Sequence, residues 1–307
     1  MKHPWPNFLI VGAAKAGTTA LYHQLSAHHD VFMSSQKEMN FFALKDQIID
    51  FKGPGDMNGI HRTSITDQEK YLSFFQDAWG VPSVGEASPL YLYSEKAPKL
   101  IYDLIPNMKI IVMLRNPIQR AFSAYSHLRR DQRETEENFE LAFQLDEERK
   151  QKGWAEIWHY KSMGMYSEQL KRYTNLFPAN QVMCLVYEDF LKNPQQTLKS
   201  ICDFLNIDSS FAFQTEKKFN KSGAPKFKSL HQLLIRPHGI KNMFKPFLPT
   251  SFRTQLRESV INLNLKKQSK LTQDQFESIF PIFEKDIEKT ETLLDINLSQ
   301  WKKYDPS

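Results

Sequence analysis

The sequence predicts an α/β fold in three layers, with a central parallel sheet flanked by helices and extra helices at the C-terminus. Apolar runs typical of buried strands recur at residues 7–12, 81–86, 108–114 and 181–187. Helical patterns alternate with them at residues 18–28, 117–130 and 195–205. Because strands that alternate with helices build parallel sheets covered on both faces, we expect residues 1–307 to form one such domain.

Each element has a local reason. The run NFLIVG at 7–12 is a buried strand, and Leu21 and Leu25 mark the apolar face of the helix that follows. MKIIVML at 108–114 is the clearest buried strand, and Pro117 suits the first turn of the next helix. The C-terminal helical segment opens with Thr272 and Gln275 at the spacing of a capping box.

Three less regular segments lie between these elements. Residues 51–62 are rich in glycine and predict a loop. The charged stretch 131–154 predicts an exposed helical flap. The basic segment 238–258 is expected either to cover the active site or to be a simple surface connection.

Composition excludes some classes of protein. No stretch of the 307 residues approaches the ~20 apolar residues that cross a bilayer, and the N-terminal apolar run is too short for a signal peptide. We therefore expect a cytoplasmic protein. The net charge of +5 fits an enzyme that binds anionic ligands, and it equally fits an ordinary lysine-rich surface. Without an aromatic-basic repeat it does not indicate nucleic-acid binding, and oligomeric state stays open.

The sequence contains two groups of potential metal ligands, and we expect neither of them to bind a metal. Cys184 and Cys202 lie in apolar runs and are expected to be buried thiols rather than a disulfide or metal pair. His28, His29 and Asp30 follow one another directly, and adjacent histidines on a helix point in different directions. We expect a helix-ending turn there.

A loop suited to phosphate follows the first strand. Gly12-Ala13-Ala14-Lys15-Ala16-Gly17-Thr18-Thr19 leads directly into a helix. A helix N-terminus offers unpaired N–H groups and a positive dipole end, and small residues let the backbone approach a ligand closely. The Gly12-x4-Gly17 spacing imitates a nucleotide P-loop, but Lys15 lies inside the loop instead of after the second glycine. A plain strand-to-helix turn is the alternative.

A second candidate phosphate corner follows the strand at 108–114. Arg115 comes at the strand end, and Ser123 lies one to two turns into the next helix. The planar guanidinium of Arg suits a phosphate, and a serine hydroxyl can add a hydrogen bond. The alternatives are a salt-bridged arginine and a helix-packing serine. Two such corners on adjacent strand–helix units predict that the ligand is a nucleoside with a phosphate group at each end.

These two motifs carry a resemblance. AKAGTTAL resembles the 5′-phosphosulfate loop of sulfotransferases that use 3′-phosphoadenosine 5′-phosphosulfate (PAPS), and LRNPIQRAFSAYSH resembles their 3′-phosphate motif. The likeness is closer to the heparan-sulfate-type carbohydrate branch and its bacterial relatives. Weaker motifs follow in the family's order across nearly the whole chain: KEMNFF, GEASPLYLY, GMYSEQLKRY, VYEDF, FNKSGAPK and DINLSQW.

The resemblance implies the roles of the first motifs. Lys15 would stabilise the departing phosphate oxygen, and Ala16, Gly17, Thr18 and Thr19 would hold the 5′-phosphosulfate, with no metal. Arg115 and Ser123 would bind the 3′-phosphate. The implied product is 3′-phosphoadenosine 5′-phosphate (PAP).

Further along, Lys221, Ser222, Gly223 and Lys226 would close over the 3′-phosphate, or form an ordinary basic loop.

Two glutamates are candidates for the base that accepts the proton of the acceptor. Glu38 matches the Glu of an E-x-x-F-F motif, and Glu86 matches that of E-K-[ST]-x-x-Y. Ala87 replaces the lysine of the second motif. Lys37, which is next to Glu38 in the sequence, is a candidate to supply the missing charge. Either glutamate could instead be a surface or capping carboxylate.

The function expected from the resemblance is transfer of a sulfuryl group from PAPS to a hydroxyl or amine, with a carbohydrate as the expected acceptor. Two alternatives remain open. One is a P-loop kinase or NTPase, which would need magnesium. The other is a non-catalytic PAP- or carbohydrate-binding relative, for which Ala87 is the best support.

Overall fold

A five-stranded parallel sheet forms the centre of the protein. The computed structural model describes residues 5–215, 224–225, 265–266 and 270–306. In chain order, the strands of the sheet are β1 (Phe8–Gly12), β2 (Val31–Met33), β3 (Ser83–Ala87), β4 (Lys109–Leu114) and β5 (Val182–Val186). Their spatial order is β2-β3-β1-β4-β5, with every neighbouring pair parallel. The predicted α/β class is confirmed.

The sheet is buried because its central strands are apolar along their whole length. All residues of β1 are buried, as are five of the six in β4. Phe8 of β1 lies opposite Gly85 of β3, where a Cβ atom would come within 2.1 Å of the Phe8 ring. Glycine at position 85 therefore makes room for an aromatic ring inside the sheet.

Helices cover this sheet. Up to the end of β4 they are α1 (Thr18–Leu25), α2 (Phe41–Leu44), α3 (Ile60–Thr63), α4 (Gln68–Ser73), α5 (Leu90–Tyr93) and α6 (Ala97–Leu104). Beyond β4 they are α7 (Pro117–Arg130), α8 (Phe139–Gln144), α9 (Asp146–Gln151), α10 (Tyr166–Thr174), α11 (Tyr187–Lys192), α12 (Pro194–Leu205) and α13 (Gln273–Leu294). Two-residue strands β6 (Ala224–Pro225) and β7 (Leu265–Lys266) pair antiparallel. Short 3-10 turns occur at Asp56–Asn58, Glu156–Trp158, Ser162–Gly164, Ala179–Gln181 and Ser299–Lys302.

Several local predictions are confirmed. Pro117 opens α7, and the Asn116 side chain caps it by accepting from two backbone amides. Thr272 and Gln275 form the capping box that begins α13. Among the helices of the described residues, none has both the length and the apolar character needed to cross a bilayer.

The predicted exposed flap and the predicted burial of Cys184 are wrong, and one strand was not predicted. The segment 131–154 is not an exposed flap, because Phe139, Phe143 and Arg149 are buried and α8 packs against α7 and α13. The short strand β2 has no counterpart among the predicted elements, since three residues are too few to show a pattern. Cys202 is buried as expected, whereas Cys184 is half-buried on the edge strand, and both are free thiols. The segment 238–258 lies outside the described residues.

The carboxyl ends of all five strands meet at one edge of the sheet, as parallel pairing requires. The segments that leave this edge contain Lys15 after β1, Glu38 after β2, Leu90 after β3, Arg115 after β4 and Tyr187 after β5. All five residues line the same cavity. This edge is where ligands bind in open parallel sheets.

Candidate active site

The cavity at the strand ends has a volume of about 790 Å³. That size is typical of a cofactor or substrate pocket. Its lining includes both predicted phosphate corners, through Lys15, Thr18, Thr19, Arg115 and Ser123. One site therefore contains residues from two motifs that lie about a hundred positions apart in the chain.

The loop after β1 is shaped by its glycines and by Lys15. Gly17 has φ +88°, and a Cβ atom there would lie 2.6 Å from the ring of Tyr187. Lys15 also adopts the left-handed region, with φ 70°. Such conformations are uncommon outside glycine and cluster at functional sites. The first-turn amides of α1 at Thr18 and Thr19 have no partner one turn earlier in the helix, so they remain available to an anion.

Arg115 joins the two phosphate corners directly. Its Nη1 donates to the carbonyl oxygen of Lys15 at 3.1 Å. Its guanidinium lies over the ring of Tyr187, 4.9 Å from the centroid, and that ring also fills the space beside Gly17. The Nε of Arg115 is buried with no hydrogen-bond partner among the described residues. A phosphate oxygen would satisfy it, so the corner fits an anionic ligand.

The weaker motifs hold the backbone at this corner. The Tyr166 hydroxyl donates to the carbonyl of Arg115 at 2.9 Å, and the Asn116 amide donates to Glu188 Oε1 at 3.0 Å. Trp301 Nε1 donates to Glu188 Oε2 at 3.0 Å. Segments 164–173, 186–190 and 295–301 thus act together to fix the position of Arg115.

Lys15 is a buried cation among other charges. Burial, with Arg130 as the next cause, lowers the pKa of the Lys15 ammonium from its ordinary 10.5 to about 8. Glu38 and Asp131 act in the opposite direction. A buried ammonium with a lowered pKa gains stability when an anion approaches it.

His127 and Arg130 lie beside Lys15 on the cavity side of α7. Burial and the charge of Lys15 hold the pKa of His127 well below its ordinary range, so the imidazole is neutral at pH 7. Arg130 Nη2 lies 2.6 Å from His127 Nδ1 and donates to it, which assigns the ring proton to Nε2. Arg130 also donates to Asp131 at 2.9 Å.

Glu38 lies on a strained turn at the cavity. Glu38 and Asn40 have φ values of 57° and 54°. The amide of Glu38 donates to the Ala87 carbonyl at 2.9 Å, and the amide of Asn40 donates to Ser88 Oγ at 2.9 Å. The Glu38 side chain is exposed to the cavity. Strand β3 therefore fixes the backbone that presents this carboxylate.

Glu86 is buried behind that turn. It is 0% exposed and is not among the residues that line the cavity. Three hydroxyl groups donate to its carboxylate: those of Ser88, of Tyr71 at 3.1 Å and of Tyr91 at 2.8 Å. Burial raises its pKa to about 7 against the opposing effect of these donors. Glu86 thus lies outside the cavity lining, and its predicted catalytic role stays a prediction.

The comparisons with known proteins agree with this geometry. Residues 6–233 match the family model described as the sulfotransferase domain. The chain belongs to the sulfotransferase family. It is thus an enzyme of the transferase class, and the kinase alternative is excluded.

Relatives of two kinds are similar to this sulfotransferase. The crystal structure of a sulfotransferase from Alicyclobacillus acidocaldarius is 32% identical, covers 98% of this chain and 100% of its own, and superposes with a TM-score of 0.77. The bifunctional heparan sulfate N-deacetylase/N-sulfotransferase 2 of Homo sapiens is 30% identical over 70% of this chain and 23% of its own length. The corresponding enzyme 1 of Xenopus laevis is 29% identical over 70% and 24%. The chain thus spans about a quarter of these curated relatives.

Position 87 is where the sulfotransferase departs from the motif expected from the resemblance. Ala87 is fully buried in β3, whereas Lys37 reaches the phosphate loop, where its Nζ donates to Thr19 Oγ1 at 2.6 Å. Since the hydroxyl oxygen of Thr19 accepts this bond, its own proton is free to be donated to a ligand. The lysine next to Glu38 therefore brings a second cation to the phosphate loop.

Other predicted site residues differ in placement. Ser123 lines the cavity on α7, whereas Ala16 of the phosphate loop is fully buried and does not line the cavity. Lys221, Ser222, Gly223 and Lys226 lie outside the described residues.

The His28 cluster does not favour a metal. His28 Nδ1 accepts from the Asp30 amide at 3.0 Å, and Nε2 bonds to the Asp208 carbonyl at 2.8 Å. No nitrogen lone pair of His28 is left for an ion.

Although three of them lie within quoted motifs, several residues that line the cavity have no role predicted from the sequence: Asn40, His127, Arg130, Glu156 and Tyr187. Helical spacing was a usable signal for two of them, because Ser123, His127 and Arg130 follow one another at i, i+4 and i+7 on one face of α7. Glu156 has no comparable signal, since it lies in a 3-10 turn that is too short to show a pattern.

Proposed function

We propose that this sulfotransferase moves a sulfuryl group from PAPS to a hydroxyl or amine of a carbohydrate acceptor, by in-line transfer without a metal. The observation that carries the proposal is the hydrogen bond from Arg115 to the Lys15 carbonyl, which joins two phosphate corners in one cavity. PAP has a phosphate at each end of its nucleoside, so it matches a cavity with two such corners.

The two ends of the nucleotide use different parts of the site. Arg115, through its unpartnered Nε, and Ser123 bind the 3′-phosphate. The amides of Thr18 and Thr19 and the Lys15 ammonium hold the 5′-phosphosulfate. The resemblance adds Lys221, Ser222, Gly223 and Lys226 as a loop that closes over the 3′-phosphate.

Lys15 acts on the leaving group. The acceptor oxygen or nitrogen forms a bond to sulfur while the bond from sulfur to the bridging phosphate oxygen breaks, and negative charge grows on that oxygen. A preorganised cation stabilises this charge more in the transition state than in the ground state. The loop amides share the same task, and PAP leaves as an anion.

Glu38 takes the proton that the acceptor loses. Its carboxylate is exposed to the cavity and lies close enough to Lys15 to raise the pKa of that lysine. Glu86 acts through Ser88, whose oxygen accepts from the Asn40 amide, and so fixes the turn that carries Glu38. In this proposal Glu86 is a positioning residue, and the base is Glu38.

The carbohydrate acceptor is supported by the curated relatives, which are named for heparan sulfate N-sulfotransfer. The cavity also extends beyond both phosphate corners, to Glu38 and to residues 56–63 and 155–157. These residues leave room for an acceptor next to the sulfuryl group.

Release of PAP from PAPS, measured with and without a mixture of oligosaccharides, tests the proposal. We expect K15A to lower kcat by about 10²-fold or more, with a smaller loss of PAP affinity. E38Q should lower kcat on the oligosaccharides by about 10²-fold while PAP affinity stays intact. If E86Q abolishes turnover with normal folding and E38Q does not reduce it, Glu38 is not the base.

A further inference from the structure

One wall of the cavity belongs to neither phosphate corner. We call it the acceptor wall: the cavity-lining residues within 56–63 and 155–157. Asp56 joins its two segments, because it accepts from the Ala155 amide at 3.0 Å and from Trp158 Nε1 at 3.1 Å. Gly53 packs so closely on this bridge that a Cβ atom would lie 2.4 Å from Asp56 Oδ2. Hydrogen bonds and close packing therefore hold the acceptor wall in a fixed position.

The cation next to this wall, Arg133, is already paired. Arg133 donates to the Asp56 carboxylate and to the Pro54 carbonyl, and its guanidinium lies over the Trp158 ring. Asp56 is fully buried and has donors on both carboxylate oxygens. Arg133 and Asp56 therefore have protein partners already and do not require a hydrogen bond from a ligand.

Glu156 differs from its neighbours in this respect. It lines the cavity, and its Oε2 is buried with no hydrogen-bond partner among the described residues. A buried carboxyl oxygen without a donor is costly, and such atoms are rare in folded proteins. Because the flanking Ala155 and Trp158 are held by Asp56, the segment that carries Glu156 is fixed before any ligand arrives.

The electrostatics point the same way. Burial raises the pKa of Glu156 to about 7, and the Asp56 carboxylate adds to the effect. The Glu156 backbone amide opposes this rise as a hydrogen-bond donor, but Oε2 has no donor among the described residues, and a ligand could supply one. An anionic group at this place would instead face two carboxyl groups, with Arg133 already paired.

We propose that Glu156 is a specificity-determining residue, which accepts a hydrogen bond from a hydroxyl or ammonium group of the acceptor and disfavours an anionic group there. The inference rests on the proposed function, since it assigns the acceptor side of the same site. It narrows the acceptor class to saccharides that are neutral or cationic where they meet the acceptor wall.

Three six-carbon sugars that differ in charge test the proposal: glucosamine, glucose and glucuronate. Each is titrated into the PAP-loaded protein, and binding is followed by ligand-observed NMR. We expect glucosamine to bind most tightly and glucuronate most weakly. E156Q should weaken glucosamine binding about tenfold, whereas the control E69Q, which removes an exposed carboxylate outside the cavity, should leave it unchanged.

The wild-type ranking and the variant give independent checks. Glucuronate binding as tightly as glucosamine, no binding of any of the three sugars, or unchanged glucosamine binding in folded E156Q would each overturn the proposal. PAP affinity is measured first, and E156Q should keep it within twofold. If the wild-type protein does not bind PAP, the proposed function and this inference are both overturned. If it binds PAP but none of the three sugars, only this inference is overturned.

Discussion

Donor binding should depend on pH because of the buried ammonium of Lys15. Burial lowers its pKa from 10.5 to about 8, a change that corresponds to about 3 kcal/mol. A bound 5′-phosphate stabilises the charged form and returns the pKa toward its ordinary value. The free protein must then take up a proton to bind PAP above pH 8.

The magnitude follows from the two pKa values. At pH 9 only about a tenth of free Lys15 is protonated, whereas nearly all of it is protonated in the complex. PAP affinity should therefore fall about tenfold between pH 7 and pH 9. His127 stays neutral in that range, and the arginines stay charged.

Isothermal titration calorimetry at several pH values measures this dependence. In buffers of different ionisation enthalpy, it also counts the protons taken up on binding. K15M should bind PAP more weakly and show a much smaller slope between pH 7 and pH 9. The control K270M, at an exposed lysine of the same cavity, should keep the wild-type slope. An equal slope in wild type and K15M would refute the assignment of Lys15 to the phosphate.

The other predictions concern the 3′-phosphate corner and the buried carboxyl. R115A should weaken PAP binding by about 1.5–3 kcal/mol in calorimetry, since a charge-assisted hydrogen bond is lost, and S123A should weaken it by less; unchanged affinity in folded R115A would remove that residue from the site. For Glu86, burial raises the folded pKa to about 7, above the unfolded value near 4.5. The folded state thus holds a proton that the unfolded state loses, so the contribution of Glu86 to the unfolding free energy should fall by about 3 kcal/mol as pH rises from 4.5 through 7. Denaturant titrations should show a smaller fall in E86Q, and an equal fall in E86Q and wild type would contradict the burial argument.

The parts of the fold that the sequence could predict are those with a strong local pattern. β1 and β4 are continuous apolar runs, and Pro117 and the capping residues mark where α7 and α13 begin. Segment 131–154 misled because its charges suggested an exposed surface. Its buried charges are paired with each other inside the fold, as in the ion pair of Arg149 with Glu134 at 2.8 Å.

The phosphate side of the site could be predicted because its residues occur in short motifs next to strand ends. Lys15 and Arg115 belong to separate motifs, and the pairing of β1 with β4 brings them together. The roles of Tyr187 and Trp301 in fixing Arg115 needed tertiary contacts that no local pattern encodes.

The acceptor side could not be predicted in the same way. Glu156 begins a single 3-10 turn, and tertiary contacts such as the bridge through Asp56 place that turn at the cavity. Burial likewise separates two glutamates that look alike in sequence, since Glu38 is exposed to the cavity and Glu86 is not.

The central claim, one nucleotide site with two phosphate corners, is tested most directly by comparing the thermal stabilisation given by PAP and by ATP. At a PAP concentration of about 100 times its Kd, mass action stabilises the folded state by about 2.7 kcal/mol, or a rise in Tm of about 5 °C. We predict that rise with PAP in the presence of EDTA, and a rise below about 1 °C with ATP at the same concentration, because ATP has no 3′-phosphate for Arg115 and Ser123. Equal shifts with the two nucleotides, or a PAP shift that requires magnesium, would contradict the account.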